Sequence, residues 1–159
     1  MKYQLKKGKN IWYSFKMELG EDLGAKYYDS ELREVDPFRI KNPVDAARVF
    51  FAYLKYLIIK YCTENNISID ILYAVSIPAS FEANQRKDLL DALMANDMKV
   101  SKQALIDEPN AAFISYAVSR AAEDRPMFIS PDYNSKVLVF DFGGGTCDIS
   151  TVSYTHLTL

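Results

Sequence analysis

Apolar residues along this chain recur with two different periods, and the change between them marks the elements. Over 43–64, Val44, Ala47, Phe51, Leu54, Ile58 and Tyr61 follow one another at spacings of three and four, and Phe50, Tyr53 and Leu57 widen the stripe. That is the period of a helix burying one broad face, so the whole stripe is expected to be core. Asn42 before Pro43 supplies its start: a capping side chain, then a residue whose fixed φ suits the first helical position. A second helical pattern covers 82–94, where Ala83, Leu89, Leu90 and Leu93 alternate with charge and Asn96 is a stop. A third is expected over 111–122, capped by Asn110 and rich in small residues that let a helix lie close to a sheet. Near the start, Trp12, Phe15 and Leu19 share one face of a short helix that Asn10 can cap and Gly20 can close.

Between the helical patterns lie short runs with strand character. One covers 71–77, bounded by Asp70 and by Pro78, which cannot donate to a ladder. Another covers 104–106. The run 137–140 is too short for a helix and rich in β-branched and aromatic residues, and 147–151 alternates apolar with polar, Cys147, Ile149 and Thr151 against Asp148 and Ser150. The segment 21–40 has no sustained period and is expected to be loop with short edge structure, and 125–134, with Pro126 and Pro131, a surface connection. Strands alternating with helices predict a layered α/β fold with mixed pairing, its last two strands antiparallel.

Composition changes this picture little. The 159 residues are 49% hydrophobic and 25% charged, a globular balance with ample core material. A net charge of -2 gives no broad footprint for nucleic acid, and Lys2, Lys6, Lys7 and Lys9 are expected to belong to a solvated terminal strand or arm. Cys62 and Cys147 are too few for a disulfide framework and show no paired metal spacing, which fits a reducing compartment. The greasiest stretch, 49–59, is interrupted by Lys55 and is too short to span a bilayer. The opening is charged and without an apolar signal core, so a soluble cytoplasmic chain with no membrane partner is expected.

The candidate chemistry sits at 137–148, VLVFDFGGGTCD. Asp141 falls at a strand end, and Gly143, Gly144 and Gly145 let the backbone turn sharply and aim several N–H groups at one anion. Because a second strand follows, the loop joins strand to strand. A dinucleotide fingerprint would open a helix, and Asp148 stands where its third glycine belongs; a Walker loop would need a lysine that is not there. A bare glycine hairpin with no ligand is the plain alternative.

Asp-Phe-Gly-Gly-Gly-Thr-Cys-Asp resembles the second phosphate loop of the actin-like ATPase superfamily, most closely that of the seventy-kilodalton heat-shock chaperones. Two further stretches agree in order. Residues 77–86, IPASFEANQR, are similar to the family's segment with a proline, a phenylalanine three residues on and a Gln-Arg pair; 107–112, DEPNAA, with Tyr116 behind, is similar to its Glu-Pro-Thr-Ala-Ala segment. The resemblance implies a ribonuclease H-like (actin-like ATPase) lobe, incomplete, over 1–151, from an ATP-hydrolysing chaperone whose nucleotide state is coupled to peptide binding. It implies that Gly143, Gly144, Gly145 and Thr146 cradle the phosphates of ATP or ADP, and that Asp141, with Asp148, holds Mg2+ or assists K+. Lys16, Glu108 and Asp141 then carry catalysis, and Pro78 with Arg86 relays the nucleotide state. For each there is a plainer reading: a surface lysine, a strand-end cap, a turn-stabilising aspartate, a structural proline, a surface arginine.

The implied partners of the whole protein are unfolded peptides, a J-domain co-chaperone and a nucleotide exchange factor. Ser80, Asn110 and Cys147 depart from the family pattern, which places interdomain signalling in doubt. The rival expectations are an actin-like cell-shape filament protein and a small-molecule kinase of the same superfamily. Residues 152–159, VSYTHLTL, resemble the translation of a transposon sequencing adapter, so His156 is given no chemistry.

Overall fold

The computed structural model describes residues 4–21, 27–100, 104–123, 135–143 and 147–154. They form a mixed α/β chain in two compact units, Met1–Tyr73 with Glu82–Ser101, and Ala74–Phe81 with Lys102–Leu159.

The first unit is built on helix α1, Pro43–Glu64, which starts where the sequence places it. Asn42 Oδ1 accepts the Asp45 N–H at 2.8 Å, meeting one donor left open by the helix start, and Asp45 Oδ2 accepts the N–H of Lys41, just before the cap, at 3.1 Å, which fixes the entering chain. Helix α2, Ala83–Met94, follows Glu82, whose N–H donates to Gln85 Oε1 at 2.9 Å. Leu89, Ala92 and Leu93 form its buried stripe. Asn96 closes the helix and ties it to α1, its Nδ2 donating to the carbonyls of Ala92 and Arg48, both at 2.9 Å.

Two expectations for this unit are corrected. The stripe on α1 is not all core: burial is confined to Pro43, Ala46, Ala47 and Cys62, while Phe50, Tyr53, Leu57, Ile58 and Tyr61 remain exposed. The reason is that the core gathers at the start of α1, where Tyr28, Ile40 and Ala46 pack with Trp12, Phe15 and Val49. Asn10 caps no helix; its Oδ1 takes the Lys6 N–H at 2.8 Å and stabilises a turn, and among the described residues nearby the helical ones are the 3-10 turn Phe15–Glu18, preceded by Ser14 at φ 58. Segment 27–40 is irregular as expected, yet it supplies two core side chains, Tyr28 and Ile40.

In the second unit, β1 (Val75–Ile77) pairs in parallel with β2 (Leu105–Asp107), and β3 (Ser135–Phe142) pairs antiparallel with β4 (Cys147–Tyr154). Pairing of both kinds is present, in two separate two-stranded sheets. Residues 71–74 do not join β1, so the first expected strand is shorter than its apolar run. Helix α3, Glu108–Ala122, begins directly at the end of β2, two residues ahead of the expected cap Asn110. Pro109 explains the shift, because its fixed φ and missing donor suit the first helical turn. Pro109, Phe113 and Ala117, spaced by four, are the buried edge of α3, and Ile77 and Phe81 join them in the unit's core.

Candidate functional site

Strand alternation sorts the β3–β4 hairpin into two faces. The register pairs Val139 with Ser150 and Asp141 with Asp148, so these four share one face, while Leu138, Phe140, Phe142 and Ile149 occupy the other and are exposed. The first face lines a cleft of about 100 Å3 within the second unit. Pro78 and Ser80, after β1, line it too, as do Glu108 and Pro109 at the β2–α3 junction.

Each acid is placed by an identifiable local cause. Asp141 stands near the end of β3 because the apolar run before it pairs along its whole length with β4. Asp148 is its direct partner. Glu108 is fixed by its position between the last residue of β2 and a proline in the first turn of α3. Like charges directly opposed in a ladder repel, and a third carboxylate on the same small cleft adds to the negative potential. A cation relieves that repulsion. Among the described residues no group of three or more acidic, histidine or cysteine side chains lies close enough to cage a metal by direct ligation.

The cleft thus brings together Pro78, Glu108, Asp141 and Asp148 of the residues singled out from the sequence. Gly143 is described and exposed; Gly144, Gly145 and Thr146 lie outside the described residues. Lys16 is an exposed member of the 3-10 turn, and Arg86 is a half-buried residue of α2 whose N–H donates to the Glu82 carbonyl at 3.0 Å; both belong to the first unit. Sequence reasoning missed Ser150 as a lining residue. Period-two alternation from Asp148 was the signal that could have found it.

Fold and cleft together define the class: a mixed α/β chain with a β hairpin that sets two aspartates on the face lining the cleft. The chain belongs to the Hsp70 protein family, whose sequence profile matches residues 42–156. It is 36% identical over 142 residues to a heat shock cognate HSP70 protein of Trypanosoma brucei brucei, covering 89% of this chain and 18% of that protein. Over 126 residues it is 31% identical to a chaperone protein HscA homolog of Burkholderia cenocepacia (strain HI2424), covering 79% of this chain and 17% of the relative. Over 76 residues it is 37% identical to the chaperone protein DnaK of Nitrosopumilus maritimus (strain SCM1), covering 48% and 10%. The chain therefore spans less than a fifth of the length of these relatives. Two of the three are chaperones by name and the third is a heat shock cognate HSP70 protein, which does not favour the filament or kinase alternatives. Among the described residues no helix is long and apolar enough to cross a membrane.

Proposed function

We propose that this chain is part of the nucleotide-binding lobe of an ATP-driven, heat-shock-type chaperone, a ribonuclease H-like (actin-like ATPase) fold of which residues 1–151 supply one portion. The observation that carries the reading is the gathering of Glu108, Asp141 and Asp148 on one cleft inside the span matched by the family. Oxygen donors that face one another without forming a closed cage suit Mg2+, which keeps several of its waters, and K+ is a second candidate. Bound there, Mg2+ would neutralise phosphate charge as the γ-phosphoryl group transfers.

The chain's own residues divide the remaining work. Asp141 and Asp148 hold the hydrated ion, and Glu108 orients the attacking water from its fixed place at the start of α3. The N–H groups of Gly143, Gly144 and Gly145 and the Thr146 hydroxyl cradle the β- and γ-phosphates of ATP. Lys16 approaches the γ-phosphate and stabilises its developing charge. Pro78, stiff and buried on the cleft, and Arg86, on α2, relay nucleotide state to a peptide-binding domain.

In the whole protein the partners are unfolded peptides, a J-domain co-chaperone and a nucleotide exchange factor, with the cytoplasm as compartment and neither nucleic acid nor membrane as ligand. Residues 152–159 are proposed to be adapter-derived; resequencing the source locus through position 151 tests this, and a native frame encoding VSYTHLTL overturns it.

The function is tested by ATP turnover of the full-length protein that contains this segment. Asp141→Asn is expected to lower kcat by about a hundredfold, the scale of losing one positioned electrostatic element, with peptide binding in ADP retained. Unchanged turnover overturns the reading. The 159-residue chain alone is expected not to hydrolyse ATP, and phosphate release above a Lys16→Ala control overturns that expectation.

A further inference from the structure

The first unit carries a basin of about 360 Å3 that the nucleotide reading does not use. It is lined by Lys6, Lys7, Gly8 and Lys9 together with Tyr27, Tyr28 and Asp29. The lysines do not sit on a loose arm. The Lys6 carbonyl accepts the N–H groups of Lys9, Asn10 and Ile11 at 3.1, 3.2 and 3.4 Å, and the Gly8 N–H donates to the Ile11 carbonyl at 2.9 Å. Gly8 sits at φ +77, and a Cβ there would stand 2.6 Å from Cδ1 of Tyr28, so the turn is pressed against that ring. Lys7 is held by Glu18 and lies over the Tyr13 ring, 5.1 Å from its centroid. Lys9 Nζ is 3.9 Å from the Asp29 carboxylate, at the outer limit of an ion pair, and Asp29 is 90% exposed.

We propose that this basin docks an acidic peptide segment of a partner protein. An apolar side chain of the peptide rests on the exposed Tyr27 ring, which the buried Tyr28 ring backs at a centroid distance of 4.8 Å, and its carboxylates lie among Lys6 and Lys9. Three observations select this occupant. With Lys7 taken up by Glu18, Lys6 and Lys9 meet one carboxylate, Asp29, in the lining, which leaves a local positive excess on a chain of net charge -2. Lysine presents a compact point charge on a flexible stem and lacks the planar fork that fixes a bound phosphate, so it suits carboxylates spaced along a peptide. Lys6, Lys7, Tyr27 and Asp29 are exposed, leaving the basin open, whereas a small-molecule site buries most of its ligand. Tyrosine adds contact area at little cost in side-chain entropy.

The test is a fluorescence-anisotropy titration of the 159-residue chain with a fluorescein-labelled hexapeptide EDFEDL and its uncharged counterpart NQFNQL. The acidic peptide is expected to bind with Kd on the order of 100 µM, and more weakly as salt rises, because exposed charge pairs are screened. Replacing Lys6→Gln and Lys9→Gln together weakens binding at least about threefold, while Asp29→Asn strengthens it by roughly twofold, on the scale of exposed ion pairs. Circular dichroism of each variant, matching the parent, shows that the fold is kept. Equal binding of both peptides, an unchanged Kd in the double lysine variant, or no binding at about 1 mM peptide overturns the proposal.

Discussion

Asp141 and Asp148 are direct partners across the β3–β4 ladder, two carboxylates set opposite one another on the face that lines the cleft. Stability alone does not favour that arrangement, since opposed like charges weaken a strand pair. It follows that Asp148→Asn, which keeps the shape and removes one charge, stabilises the chain in metal-free buffer by about 0.5 kcal/mol. Added Mg2+ is expected to raise the melting temperature of the parent and to have a smaller effect on the variant. Thermal melts with and without EDTA read both effects. A variant no more stable than its parent in EDTA would show that the two charges do not oppose each other.

Gly20 is fixed by what surrounds it. Its φ is +78, and a Cβ there would stand 2.6 Å from Gln85 Cγ and 2.8 Å from the Gln85 backbone nitrogen. The backbone of Gly20 is engaged on both sides, its N–H donating to Asp88 Oδ2 at 2.8 Å and its carbonyl accepting Asn84 Nδ2 at 2.6 Å. Gly20→Ala must therefore adopt a left-handed conformation and displace the start of α2. A loss of about 2 kcal/mol is expected from strain and overpacking together, read by urea denaturation. A loss under about 0.5 kcal/mol would mean that α2 moves aside freely.

Leu93 has no accessible surface and lies on the buried stripe of α2 beside Ala92 and Leu89. Leu93→Ala is expected to cost about 2–5 kcal/mol, because the cavity adds to the lost burial. Leu57→Ala on α1, by contrast, is expected to change stability by less than about 0.5 kcal/mol, since that side chain is exposed. Measuring the pair together tests whether the middle of the α1 stripe is outside the core.

What the sequence made legible was whatever local chemistry decides. Asn42 and Pro43 marked the start of α1, the apolar spacing marked α2, and the alternation around Asp148 marked the hairpin, because capping, periodicity and strand pairing are set by neighbours within a few residues. The burial of α1 was not legible, since its stripe looks alike from Val44 to Tyr61 and only tertiary contacts decide which part is covered. Tyr28 was hidden for a similar reason: it lies in a segment without period and is buried by residues distant in the chain. At the cleft, Asp141 and Glu108 were legible from their motifs. Ser150 required the register, because the face it shares with Asp141 is defined only once the two strands are paired.

Tyr28 also gives the unit a pH dependence whose sign can be worked out. Its hydroxyl donates to Glu18, which accepts Lys7 on its other oxygen. Burial first, and then the hydrogen bond to Glu18, push the Tyr28 pKa well above the ordinary tyrosine value near 10. The Lys7 pKa is raised as well, chiefly by its hydrogen bond to Glu18. For both groups the folded state favours the protonated form, so their contribution is complete below the unfolded pKa. It is lost as pH climbs past about 10 toward the raised folded values. Tyr28→Phe removes the hydrogen bond and the titration together. It is expected to lower stability by about 1 kcal/mol at pH 8, the scale of one buried hydrogen bond, and the gap from the parent should shrink between pH 8 and pH 11. Urea denaturation of both proteins at the two pH values checks this, and a gap that stays constant would show that Tyr28 titrates alike in the folded and unfolded chain.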